Sequence, residues 1–342
     1  MGANALRAPA YVSLTREQKL DTKQPWPSSE QELVEVRRLN KTLARMPRFQ
    51  IRNRVTPRLI QALLRAAQIG SALKPGRHDL RIEKRTVSSD NVPVPVRIIR
   101  PKGKPRGVVF DIHGGGWVIG NAQMNDDFNV AVVNACDVAI VSVDYRLAVT
   151  TPIEGLMEDC FSAACWLLGK DCEEFAGLPV IVVGESAGGH LAAATLLKLK
   201  SRPDLLERIV GTVLYYGVYD LTGTNSVRTA GPETLVLDGP GMVGAMRVLT
   251  PDRSDDKRRE PPLSPLYGDL TGLPPALMFV GEIDPLLDDT LQMAERWANS
   301  AEVEMHLMPE SPHGFIHFPT TLARKALARS REWINERIDT LG

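Results

Sequence analysis

A serine lies at the centre of a Gly-x-Ser-x-Gly pattern formed by Gly184, Ser186 and Gly188. A continuous β-branched run, residues 180–183, precedes the pattern, and an Ala- and Leu-rich run follows it. The first run is typical of a strand buried on both faces, and the second is typical of a buried helix. A strand that becomes a helix within a few residues forces a sharp turn, which lifts the serine hydroxyl out of the sheet. We therefore predict a nucleophile elbow with Ser186 at its apex.

A serine hydroxyl needs a base to act as a nucleophile, and histidine is the usual base. Three histidines lie well beyond Ser186 in the sequence, namely His306, His313 and His317. His306 falls within a predicted strand, His313 lies in a turn-rich loop just past that strand, and His317 lies near the final predicted helix. Position in the chain favours His313 as the base and leaves His317 as the alternative.

The base in turn needs a carboxylate that orients its ring. The predicted strand 276–280 is followed by Glu282 and Asp284, and both could reach the same edge of the sheet as Ser186. Asp284 precedes Pro285, so it could instead cap the next helix. Both carboxylates remain candidates for the orienting role at this stage.

Three consecutive glycines, beginning at Gly114, directly follow the apolar run 108–112. Such a run costs backbone entropy and suits a chain that turns tightly and presents bare N–H groups. An oxyanion hole needs such donors, and each contributes roughly 2.7–4 kcal/mol to the transition state. The candidate donors are the N–H groups of Gly114, Gly115 and Ala187. A phosphate-binding loop fits less well, because neither the G-x-G-x-x-G order nor a following Lys-Ser/Thr pair is present.

The elements that must position these residues alternate along the chain. The predicted strands are 81–87, 92–99, 108–112, 139–143, 180–183, 209–215, 276–280 and 303–307. The helical segments predicted after the first hairpin are about 122–135, 153–169, 187–200, 286–300 and 320–339. This alternation implies an α/β fold with a mostly parallel central sheet of about eight strands and helices on both faces.

Two segments do not follow this alternation. Residues 1–79 carry two amphipathic helices, the first beginning at a capping box formed by Ser29 and Glu32. The segment at about 218–262 has no predicted strand and follows a strand end, where α/β sheets place binding loops. We expect an N-terminal helical cap segment at 1–79 and a catalytic domain at 80–342 with a cap insertion. Simple padding of the core is the alternative for the N-terminal helices.

Composition excludes several classes of partner. The 342 residues contain 41 Lys and Arg and 41 Asp and Glu, so the formal net charge is zero and a nucleic-acid partner has no support. No apolar run reaches the length of a membrane span, and no secretory h-region is visible near the N-terminus. The four cysteines lack Cys-x-x-Cys spacing. We expect a cytoplasmic protein without metal, cofactor or stable membrane association, and a homodimer through an edge strand is possible.

Four ordered motifs carry a family resemblance. They are His113-Gly-Gly-Gly-Trp117, Gly184-Glu-Ser-Ala-Gly-Gly189, Asp284-Pro-Leu286 and His313-Gly-Phe315. Over about residues 80–342 the chain resembles the hormone-sensitive-lipase-like (bacterial family IV) esterases of the α/β-hydrolase fold. Two departures are Glu185, where the family usually has Asp, and Val149-Thr-Thr151, which replaces the usual Pro-Glu.

The resemblance implies specific roles. Ser186 would be the nucleophile, His313 the base and Asp284 the orienting acid, with the oxyanion donors named above and a lid over the site. The implied activity is a serine carboxylesterase that hydrolyses small-molecule esters with short to medium acyl chains. The apolar acyl pocket could be walled by Trp117, Met242 and Met246. An amidase or deacetylase with the same triad is the alternative within enzymes, and a non-catalytic ligand-binding protein is the alternative outside them.

Overall fold

The computed structural model describes residues 25–51, 56–68, 80–89 and 92–340. The strands are β1 Arg81–Ser89, β2 Val92–Arg100, β3 Val108–Ile112, β4 Ala139–Val143, β5 Val180–Glu185, β6 Ile209–Tyr215, β7 Ala276–Gly281 and β8 Val303–Met308. They form one sheet in the order β1-β2-β4-β3-β5-β6-β7-β8. β2 pairs antiparallel with both β1 and β4. All the other neighbouring strands in this order pair in parallel. The predicted mostly parallel sheet of about eight strands is confirmed, and each strand begins where predicted and ends within two residues of the predicted end.

Helices cover both faces of the sheet. They are α1 Glu30–Leu43, α2 Thr56–Ala67, α3 Asp126–Cys136, α4 Ile153–Leu168, α5 Ala187–Leu199, α6 Pro203–Leu206, α7 Asn225–Arg228, α8 Met242–Leu249, α9 Asp255–Arg259, α10 Leu287–Ala298 and α11 Thr321–Asp339. One apolar cluster joins the sheet to α4, α5 and α10, and a second joins it to α3 and α11. Every residue of β3, β4, β5 and β7 is buried, as expected for strands covered on both faces. No helix within the described ranges is long and apolar enough to cross a membrane.

The first helix begins as the sequence predicts. The Ser29 N–H donates to Glu32 Oε2 at 2.8 Å, and the Glu32 N–H donates back to Ser29 Oγ at 3.4 Å, so the capping box is formed. The same Glu32 carboxylate accepts from Lys325 Nζ at 2.6 Å. Farther along α1, Glu35 Oε2 accepts from the Thr321 N–H at 2.6 Å. These contacts dock α1 against the start of α11.

The second N-terminal helix contacts the loop that follows the glycine run. The Gln61 side chain of α2 donates to the Gly120 carbonyl at 2.8 Å and accepts from the Gly120 N–H at 2.7 Å. The amide of Gln61 is buried, and both of its polar atoms are satisfied by the backbone of one residue, Gly120. This pairing fixes α2 beside the loop that carries Gly114 and Gly115.

The insertion after β6 meets the N-terminal segment. Residues 218–262, all of them described, contain three short helices (α7, α8 and α9) and no strand. The Phe49 N–H donates to the Val236 carbonyl at 2.7 Å, and the Asp238 N–H donates to the Phe49 carbonyl at 3.1 Å. A parallel bridge therefore joins the two segments that the sequence assigns to a cap.

Candidate active site

Ser186 lies at the turn between β5 and α5. Its backbone has φ 51° and ψ −119°, a sparsely populated region whose strain costs roughly 1–3 kcal/mol. The turn is tight because a Cβ added to Gly188 would lie 2.0 Å from the Ile112 carbonyl oxygen, and one added to Gly184 would lie 2.5 Å from the Gly188 oxygen. Glycine is thus required at both flanking positions of the pattern, and the predicted sharp turn is present.

A hydrogen-bonded chain connects Ser186 to two residues from distant parts of the sequence. The Ser186 hydroxyl lies 2.9 Å from His313 Nε2, and His313 Nδ1 lies 2.8 Å from Asp284 Oδ2. An ionised carboxylate only accepts, so Nδ1 carries the proton and Nε2 presents a lone pair to the hydroxyl. The Asp284 side chain is fully buried, and its other oxygen accepts from the Leu286 N–H at 2.8 Å. This geometry lets the imidazole take a proton from the serine.

The alternative residues have other partners. Glu282 accepts from the Glu310 N–H at 2.9 Å, so it supports the turn after β8. His317 Nε2 lies 2.5 Å from Glu185 Oε2, and His306 Nε2 lies 2.7 Å from Glu304 Oε1. The structure therefore brings His313 and Asp284 to the serine and places the other candidates elsewhere.

The glycine run forms a tight loop after β3. Gly115 has φ 106° and Gly116 has φ 58°, and a Cβ on Gly115 would lie 2.1 Å from the Ile119 carbonyl oxygen. A Cβ on Gly114 would lie 3.2 Å from the Glu185 carbonyl oxygen, so the loop packs directly against the elbow where α5 begins at Ala187. The three predicted donor residues therefore belong to two segments in direct contact.

Buried side chains hold this loop in place. The Tyr145 hydroxyl donates to the His113 carbonyl at 2.8 Å, and the two rings stack with centroids 4.2 Å apart. His113 Nδ1 lies 2.8 Å from the Gly114 carbonyl, which can only accept, so Nδ1 is protonated. Burial lowers the pKa of His113, so its imidazole is neutral near pH 7. His113 therefore acts as a fixed hydrogen-bond donor within the loop.

His190, which no sequence motif marks, connects the loop to the residue that directly follows the insertion. Its Nδ1 accepts from Trp117 Nε1 at 3.1 Å, and its Nε2 donates to the Leu263 carbonyl at 2.8 Å. The side chain is completely buried, and burial lowers the pKa of His190 to about 4. The neutral ring can therefore accept from the indole at neutral pH. No local pattern marks this residue, because its partners lie 73 residues away in each direction.

An apolar cavity of about 340 Å³ opens at Ser186. Its apolar lining includes Phe49, Ile51, Trp117, Met242, Met246 and Leu286. The three residues that the sequence suggested as pocket walls all line this cavity. Phe49 and Ile51 were missed; they come from the N-terminal segment and pack over Gly116. In the described ranges, no group of three or more His, Cys, Asp or Glu side chains is arranged to hold a metal ion.

Comparisons with known proteins agree with this architecture. A family model described as the alpha/beta hydrolase fold matches residues 109–317. The carboxylesterase NlhH of Mycobacterium tuberculosis is 34% identical over 265 residues, which cover 74% of this chain and 81% of that protein. An esterase of Pyrobaculum calidifontis superimposes with a TM-score of 0.76 at 27% identity, covering 87% of this chain and 97% of its own.

A second solved structure connects the chain to the family suggested by its motifs. This structure is an esterase from the bacterial hormone-sensitive lipase family, and it superimposes with a TM-score of 0.72 at 26% identity. It covers 91% of this chain and 100% of its own. The chain therefore belongs to the hormone-sensitive-lipase-like family of carboxylic ester hydrolases within the α/β-hydrolase superfamily.

Proposed function

We propose that this protein is a serine carboxylesterase that hydrolyses short- to medium-chain esters through an acyl-enzyme intermediate. The observation that carries the proposal is the hydrogen-bonded chain Ser186–His313–Asp284, with distances of 2.9 and 2.8 Å, whose serine lines an apolar cavity. Ser186 Oγ attacks the ester carbonyl carbon while His313 Nε2 takes the hydroxyl proton. Asp284 keeps the ring in the required tautomer and stabilises the imidazolium that forms.

The negative charge of the tetrahedral intermediate needs donors that are already in place. We assign this role to the N–H groups of Gly114, Gly115 and Ala187, because the tight glycine loop packs against the start of α5. Such donors act without reorganisation, and loss of one typically costs roughly 2.7–4 kcal/mol of the barrier reduction. Collapse of the intermediate breaks the ester C–O bond, and the imidazolium gives its proton to the leaving alcohol.

The second half of the reaction uses the same groups. A water molecule takes the place of the alcohol, His313 removes one of its protons, and the resulting hydroxide attacks the acyl carbon. The intermediate again places its oxyanion at the loop, and its collapse returns the proton to Ser186. The carboxylic acid then leaves and the resting state is restored.

The cavity supports a preference for short and medium acyl chains. Its volume is about 340 Å³, and Phe49 and Met246 are among the apolar residues that form its wall. Each methylene that fits adds about 0.8 kcal/mol of apolar burial, whereas those beyond the wall add nothing. We expect kcat/KM to rise from the acetyl to the butyryl p-nitrophenyl ester and to fall for the palmitoyl ester. A preference for palmitoyl would contradict this part of the proposal.

Labelling with a fluorophosphonate tests the nucleophile directly. The reagent phosphonylates an activated serine, so mass spectrometry of a protease digest should locate one adduct on Ser186. Ser186→Ala is the matched control, and it should give neither adduct nor turnover while it retains the thermal unfolding curve of the parent. Absence of an adduct on the folded parent protein would falsify the hydrolase mechanism. Parallel assays on an ester and its matched anilide separate esterase from amidase activity.

A further inference from the structure

Glu185, which directly precedes the nucleophile, has a buried carboxylate with two side-chain partners. Its Oε2 lies 2.5 Å from His317 Nε2 and accepts from the Tyr216 hydroxyl at 3.0 Å. Only 7% of the Glu185 side chain is exposed. His317 lies four residues after His313, in the turn that follows it. One carboxylate thus joins the segment of the proposed nucleophile to the segment of the proposed base.

The same carboxylate is connected to the base through an aromatic ring. The Tyr216 ring, whose hydroxyl donates to Glu185, meets the His313 ring edge-on with centroids 4.7 Å apart. On the other side, a Cβ on Gly114 would lie 3.3 Å from Glu185 Cγ. Glu185 therefore contacts the glycine loop after β3, and its hydrogen bonds connect it to the segment that carries His313.

The charges of this pair favour each other. Burial raises the pKa of Glu185, but the His317 charge and the hydrogen bonds outweigh it and lower that pKa to about 2. In return, the Glu185 carboxylate raises the pKa of His317 above its ordinary value. An imidazolium paired with a carboxylate is therefore the expected state under mildly acidic conditions. The His317 side chain is 43% exposed, so solvent partly screens the attraction.

The other titratable groups that act on Glu185 do not supply a compensating cation. They are His113, Asp111, Tyr145, Tyr215 and Tyr216. Burial keeps the pKa of His113 low and the pKa values of the three tyrosines high, so these four groups are neutral near pH 7. Burial also raises the pKa of Asp111 to about 6. Within the described ranges, His317 is the single cationic residue that forms an ion pair with Glu185.

We propose that His317 is a positioning and charge-compensating residue for the base. Its protonated ring neutralises the buried Glu185 carboxylate and holds that side chain in place at the elbow. The protonation of His313 is then governed by Asp284 and not also by a second, uncompensated carboxylate. This inference rests on the proposed function, because it concerns the base of the same reaction. It assigns a role to a histidine that does not contact the serine.

A neutral residue in place of His317 has a defined consequence. His317→Gln keeps an N–H donor for Glu185 but removes the positive charge. The uncompensated carboxylate then stabilises the protonated, inactive form of the base, so the acid limb of the kcat/KM profile moves to higher pH. We expect a shift of roughly 0.5–1 pH unit. Burial of Glu185 strengthens the electrostatic effect of its carboxylate on the base, whereas solvent near the half-exposed position 317 weakens it. The plateau at higher pH should remain close to that of the parent.

The experiment compares pH profiles of kcat/KM between pH 5 and 9, measured by pH-stat titration of the acid released from an ethyl ester. His317→Gln should lose about three- to tenfold activity on the acid side of the profile. His317→Lys retains a cation at this half-exposed position and should restore the parent profile. His306→Gln is the control, because His306 is paired with Glu304 in β8 and makes no contact with Glu185. Its acid limb should coincide with that of the parent.

The outcomes are distinguishable from failure of the proposed function. An active His317→Gln variant with an unmoved acid limb overturns the inference, as does a uniform loss of activity at every pH, which indicates a packing role only. A shifted limb that His317→Lys leaves shifted also overturns it, because charge is then not the cause. By contrast, a parent protein that resists fluorophosphonate labelling and shows no turnover refutes the proposed function itself.

Discussion

Replacement of Gly188 by alanine should nearly abolish turnover while the protein stays folded. A Cβ at this position would lie 2.0 Å from the Ile112 carbonyl oxygen and 2.6 Å from the His113 carbonyl oxygen. Real Cβ atoms essentially never approach a neighbour more closely than 3.0 Å, so a gap of at least 3.0 − 2.0 = 1.0 Å must open. Both neighbours are backbone atoms at the end of β3, where no rotamer change can relieve the clash. The opening therefore separates the elbow from the loop that carries Gly114.

The size of the effect follows from that separation. A displacement of about 1 Å between reacting groups typically costs about 100-fold in rate, and loss of one oxyanion donor costs about 100- to 1,000-fold in kcat. We therefore expect kcat of Gly188→Ala to fall by at least about 100-fold. KM should change much less, because the apolar walls formed by Met242 and Met246 are not attached to β3.

The assay is steady-state hydrolysis of p-nitrophenyl butyrate, with thermal unfolding followed by circular dichroism on the same samples. Gly103→Ala is the matched control, since a Cβ at Gly103 would meet nothing within 4 Å. Its kcat should equal that of the parent. A folded Gly188→Ala variant with kcat within threefold of the parent would show that contact between β3 and the elbow does not set the donor geometry.

Two further predictions concern buried groups next to the site. Burial raises the pKa of Asp289 from 3.8 to about 7, although its carboxylate accepts from the Tyr219 and Asp220 N–H groups. Because the folded state has the higher pKa, the contribution of this group to stability is fully present below pH 3.8 and is lost as pH rises through about 7. The melting temperature of Asp289→Asn minus that of the parent should therefore be larger at pH 8 than at pH 5. A larger difference at pH 5 would contradict this reasoning. His190→Phe should leave the Trp117 N–H without its acceptor, so the free energy of unfolding measured by urea titration should fall by about 1–3 kcal/mol. An unchanged value would show that the hydrogen bond to Trp117 does not contribute to stability.

The sequence could point to the three residues proposed to react because each follows the carboxyl end of a strand. Ser186 follows β5, Asp284 follows β7 and His313 follows β8, and adjacent parallel strands bring these ends to one edge. The sequence favoured His313 but kept His317 as an alternative, because four residues of loop do not determine which ring faces the serine. In the structure Gly314, with a left-handed φ of 71°, turns the chain directly after His313.

Residues that depend on contact between distant segments were not predictable. Phe49 reaches the cavity because its backbone pairs with residues 236–238, almost two hundred positions away. Neither segment has a periodic pattern of apolar residues at that point, and a single β-bridge has no signature in the amino-acid composition. The same reason explains why the contact between His190 and Trp117 was missed. Periodicity reports which face of an element is buried, but it does not report which loop covers that face.

The strained apex at Ser186 persists because separate elements hold the turn from different sides. The Ser186 N–H donates to the Tyr215 carbonyl of β6 at 2.9 Å, and the Gly188 backbone touches the end of β3. Each contact opposes relaxation in a different direction, so removal of one lets the apex move toward a relaxed conformation. Substitutions at residues that never touch the substrate should therefore lower kcat through the position of one hydroxyl group.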